Sequence, residues 1–159
     1  MEAKSCGCPR IDPALWHQQV HSWKGKCFFA KQVNFFFGAQ LGMDVRTREA
    51  AEEIERRGYV MEDPAVILVQ PGLFKGYVLI GIAAPDDRPP EVRVFDDSQM
   101  ASVVLSSPEP GTAPGLRLLK SFVASLKRTC AERYVWYTTC PTCLAQEKRY
   151  TTVFLARLR

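Results

Sequence analysis

Apolar positions along this chain come in two spacings. Dense or alternating apolar runs, rich in β-branched and aromatic residues, predict strands at Lys26–Phe37, Ala65–Gln70, Gly76–Ile82, Ser98–Ser107, Tyr134–Thr139 and Tyr150–Leu158. The first run is apolar on both parities (Phe28, Phe29, Val33, Phe35, Phe36, Phe37), so its strand is covered on both faces for part of its length. Two other stretches follow helical spacing. Val45 to Arg57 turns Ala50, Ala51 and Ile54 inward, with Asp44 as its N-cap and Gly58 just past its end. Leu116, Leu119, Phe122, Val123 and Leu126 define the second helix.

The order of these elements repeats. Strand, helix, strand, strand occupies residues 26–82 and recurs over residues 98–158, across a linker at 83–97 whose Ala84–Pro90 stretch is rich in Pro and Asp. Residues 1–25 form an N-terminal extension to a single domain over 26–159. In the extension, Asp12-Pro13 starts a helix with Leu15, Trp16, Gln19, Val20 and Trp23 on one side and His17 and His21 on another. One helix cannot cover a three-stranded unit. Two units side by side then give an α+β fold: a mostly antiparallel sheet with its helices on one face and a concave cleft on the other. An aromatic-lined concave face suits a small organic molecule.

Composition narrows the function classes. The chain of 159 residues carries a net charge of +4, with its basic residues scattered over predicted helix surfaces, so a nucleic-acid interface is not expected. No apolar run reaches the length of a membrane span, and no signal-peptide core follows Met1, so a cytoplasmic location is the expectation. In that reducing setting six cysteines point to metal or thiol chemistry rather than to disulfides.

The duplicated order over 26–158 resembles the GyrI-like effector-binding domains. So does the aromatic closing segment with Tyr134, Trp136, Tyr137, Cys140-Pro141-Thr142-Cys143 and Tyr150. The resemblance implies a cleft between the halves that binds hydrophobic or cationic small molecules, or in some members hydrolyses them. Those clefts often hold an acidic residue near the centre. Here the predicted strands have acidic residues only near their ends, at Glu91, Asp96 and Glu132, which argues against a cationic ligand and leaves no obvious general base.

Phe35, Phe37, Phe74, Tyr77, Tyr134 and Trp136 are the candidate ligand-binding residues. Tyr134 and Trp136 share one strand face and keep polar tips that can orient a ligand, although core packing would use the same residues. Phe74 sits in a turn, away from any evident core. Cys140 and Cys143 have the spacing by which two thiolates grip zinc, with Cys6 and Cys8, or His17 and His21, available to complete the site if the extension folds over the closing hairpin. A reactive dithiol and a plain turn are the other readings. Cys27 and Cys130 read as small buried residues. Three functions follow: a binder of small hydrophobic molecules with a protein partner to receive its signal, a hydrolase or thiol-dependent enzyme acting on a hydrophobic ligand, or a zinc-stabilised interaction module.

Overall fold

The computed structural model describes residues 8–36, 39–40, 42–63, 65–96, 98–109 and 111–159. It opens with a single helical turn, α1 (Pro13–Trp16), followed by β1 (Gln19–Ser22), β2 (Lys26–Phe36), β3 (Ala39–Gln40) and α2 (Met43–Arg56). Next come β4 (Ile67–Gln70), β5 (Lys75–Ile82), β6 (Val92–Phe95), β7 (Gln99–Ser107) and α3 (Ala113–Ser125). The chain closes with β8 (Cys130–Tyr137), α4 (Pro141–Glu147) and β9 (Tyr150–Leu158).

The fold is α+β, as the pattern predicts. The sheet runs β1-β7-β9-β8-β4-β5-β2-β3, with β6 alongside β2, and every pairing is antiparallel. It curls into a half-barrel. The two units meet where Leu68 and Val69 of β4 pair with Trp136 and Val135 of β8. The short strands are exchanged: β1 precedes β2 but pairs with β7, whereas β6 precedes β7 but pairs with β2. The links that follow them cross. Trp23 N–H donates to Ser98 O at 3.0 Å, and Gly25 N–H, at φ 80°, donates to Phe95 O at 2.9 Å.

Strand parity sorts the core into three layers. Ala50 and Ile54 of α2 pack on Phe29, Val33, Phe35, Val69, Val78 and Ile80. Leu119 and Val123 of α3 pack on Ala101, Val103, Val135, Phe154 and Ala156. The alternate residues of the same strands, including Phe28, Leu68, Leu79, Tyr134, Trp136 and Leu155, fill the opposite, concave face together with Trp23 and Phe95. This face is a packed aromatic cluster: Trp23 stacks on Phe28, and Phe95 stands edge-on to Trp23, Phe28 and Tyr134.

The local structure corrects several expectations. The helix from Pro13 stops after one turn, because β1 hydrogen-bonds to the edge of β7 and tertiary pairing outweighs the weak helical pattern. Gly42, at φ 62°, precedes α2 in place of Asp44, which lies in the first turn. Gly58 does stand past the end of α2 at φ 76°. Strand β6 falls within the predicted linker 83–97, and the turn after Tyr137 contains the helix α4. Cys27 is buried as expected, but Cys130 is exposed at the start of β8. No helix among the described residues is long and apolar enough to cross a membrane.

Candidate functional site

Residues on β8 and β9 build the site. Glu132, Tyr134 and Trp136 alternate along β8, and β9 sets Arg157, Leu155 and Val153 directly opposite them. The register shifts by one residue between Cys130 and Glu132, a bulge of the kind that re-aims the side chains beside it. Tyr134 O–H donates to Glu132 Oε2 at 2.5 Å, and Arg157 donates to the same oxygen at 3.3 Å. Among the described residues no hydrogen bond reaches Glu132 Oε1. That oxygen can accept from a ligand or from a water.

A second arginine faces the group. Arg93 of β6 donates to Gln70 and lies over the ring of Tyr77 at 4.2 Å, held by a cation–π contact. Arg93, Val94, Phe95, Glu132, Tyr134 and Arg157 together line a cavity of about 200 Å³. Burial opposes ionisation of Glu132. The Tyr134 hydroxyl and the Arg157 guanidinium outweigh it and hold the carboxyl below its ordinary value of 4.5. Tyr134 moves the other way: burial and the adjacent carboxylate push its hydroxyl up, so it stays a hydrogen-bond donor at neutral pH.

The expected ligand residues do not form one group. Tyr134 and Trp136 are buried on the concave face, where Tyr77 is partly buried against them. Phe35 is buried on the opposite face, beneath α2. Phe74 is exposed in the turn before β5, its carbonyl bonded to Phe35 N–H. Phe37 lies outside the described residues. Glu132 is the residue that the sequence reading passed over as a strand end. Parity could have found it, since it stands two residues before Tyr134 and four before Trp136.

The cysteines form a second cluster. Sγ atoms of Cys8, Cys140 and Cys143 all lie within 4.8 Å of one another, close enough to hold a metal. Cys140 is the N-cap of α4, and its sulfur accepts from Cys143 N–H at 3.4 Å. Cys6 lies outside the described residues. The histidines sit elsewhere and are half-buried: His17 Nδ1 accepts from Val104 N–H at 3.1 Å, and His21 Nε2 is 2.9 Å from Ser102 Oγ. A larger groove of about 640 Å³ runs between α3 and β8, past Leu119, Lys120, Arg128, Cys130 and Arg133. Glu132 lines this groove as well, but the smaller cavity also holds Tyr134 and Arg157, the side chains bonded to its carboxylate, and is the better candidate for that reason.

A family model described as "Bacterial hydrolase" matches residues 1–158. No curated protein matches the chain. Among solved structures, the C-terminal domain of EcmrR superposes with a TM-score of 0.68, at 8% sequence identity, over 89% of this chain and 96% of that one. At that identity the likeness shows the fold alone.

Proposed function

The chain belongs to the bacterial hydrolase family, and from that premise we propose that it binds a small apolar or aromatic molecule on its concave face, with the Glu132 cavity as the polar end of the site. The carrying observation is the Glu132–Tyr134–Arg157 group, a fixed carboxylate opening onto a cavity whose walls are otherwise apolar, aromatic or basic. Apolar burial against Phe95 and Tyr134 would supply affinity, and the two arginines with Tyr77 would supply orientation. This reading includes the two units at 26–82 and 98–158, a cytoplasmic setting and a partner protein that takes up the signal.

Hydrolysis is the second reading, favoured by the family and by the free side of the carboxylate. Glu132 would take the proton from a water held at Oε1 as that water attacks an electrophilic carbon of the ligand. Arg93 would stabilise the charge that develops on the leaving oxygen. Trp136→Ala is a poor test of either reading, because Trp136 is only 5% exposed and its loss would cost about 3–5 kcal/mol through the cavity left behind. Glu132→Gln keeps the shape. Screening aromatic esters and epoxides against the wild type should yield a ligand or substrate. Glu132→Gln should then lose about 10²–10⁴-fold in turnover if the carboxylate is the base, or bind roughly tenfold or more weakly if it only anchors. Wild-type behaviour of E132Q would remove the cavity from the site. For the cysteine cluster, we assign zinc as the metal best suited to a set of thiolates.

A further inference from the structure

The cysteine cluster joins two distant parts of the chain. Cys8 belongs to the segment before α1, whereas Cys140 and Cys143 begin α4 in the connection between β8 and β9. Between Cys8 and β1 the chain is held at Ile11, Trp16 and His17 and by little else among the described residues. α1 is one turn long and buries no residue, Leu15 is exposed, and the side chains that reach the concave cluster are Ile11 and Trp16. A single turn has no stability of its own. Trp16 nevertheless sits edge-on over Trp136, with ring centroids 5.3 Å apart, and its carbonyl accepts from Ser102 Oγ. Residues 8–16 therefore form a strap across one side of the concave face, tied at its far end by the cysteines.

We propose that one zinc ion held by Cys8, Cys140 and Cys143 clamps this strap, and that loss of the ion releases it and uncovers the concave face around Trp136. The inference rests on the zinc assignment and on the concave face being the ligand face. The geometry suits it. Thiolates around tetrahedral zinc stand about 3.8 Å apart, so sulfurs already within 4.8 Å need move little to close on the ion. The N–H of Cys143 fixes the Cys140 sulfur in the manner of a metal-binding turn. On binding, each coordinating thiol gives its proton to solvent, zinc exchanges waters for sulfurs, and nothing is oxidised. The fourth position falls to a water.

The test uses the full chain purified under reducing conditions. Metal analysis should find about one zinc per chain in the wild type and none in Cys140→Ser. Removing zinc with a chelator should speed tryptic cleavage at Arg10 about tenfold, because cleavage follows the population of the released strap. It should also raise acrylamide quenching of tryptophan fluorescence while leaving far-UV circular dichroism unchanged. Cys8→Ser should show the fast cleavage without chelator. A zinc-free wild type, or a disulfide among these cysteines in the reduced preparation, overturns the zinc assignment. Bound zinc whose removal changes neither cleavage nor quenching overturns the strap and leaves the assignment standing. Loss of circular dichroism on chelation overturns the strap as well, since the ion would then hold the whole fold. None of these outcomes bears on Glu132, whose role is tested by E132Q.

Discussion

Glu132 shows how neighbours set the charge of one side chain. A carboxylate half-removed from water would rise in pKa. Here the Tyr134 hydroxyl and Arg157 reverse the sign and keep it charged below its ordinary range. The depressed value adds stability that is present above pH 4.5 and is lost as the pH falls through the folded-state pKa. If Glu132 is the base of the hydrolytic reading, the same proton governs turnover, and the acid limb of the pH–rate profile should lie below pH 4.5 in the wild type. Tyr134→Phe removes one of the bonds that lower the pKa and should move that limb upward; a limb that stays in place would detach the tyrosine from the base. The sequence carried half of this site. Tyr134 and Trp136 were legible as a strand face, but Glu132 and its arginines were not. Arg93 lies on the short β6 and Arg157 on β9, and only the register brings them to one carboxylate.

At the scale of elements, α3 depends on close approach. Gly115 lies in its first turn, and a Cβ there would come within 2.0 Å of the Phe154 ring, which is fully buried in β9. Replacing a helical glycine by alanine ordinarily stabilises by up to about 1 kcal/mol. At this position overpacking should win. Gly115→Ala is expected to destabilise by about 1–3 kcal/mol, read as a lower denaturation midpoint. A midpoint equal to or above that of the wild type would mean that α3 docks less tightly than its contact with Phe154 requires. Long, strongly patterned elements such as β2, β7, β9, α2 and α3 were readable from spacing. The short ones were not, because β1, β6 and α4 have too few residues to carry a period and are set by tertiary pairing.

At the scale of the molecule, the strand order accounts for the location of the site. The sheet joins through β4 and β8, while β1 of the N-terminal extension pairs with β7 and β6 of the linker pairs with β2, and Trp23 and Phe95 beside these strands fill the concave face. The sequence predicted a cleft there. The α+β class and the antiparallel sheet were legible. The exchanged strands and the N-terminal strap that fill the cleft were not, since neither leaves a trace in hydrophobic spacing. What stays open is the polar margin around Glu132, where β6, β8 and β9 converge.

The central claim is that this margin is where a small molecule binds. The most direct measurement is an amide chemical-shift map of the full chain titrated with the aromatic esters and epoxides of the screen. Shifts concentrated at Arg93, Glu132, Tyr134 and Arg157, and abolished in E132Q, are the predicted result. Shifts concentrated instead along Lys120, Arg128 and Arg133 in the groove beside α3 would contradict it.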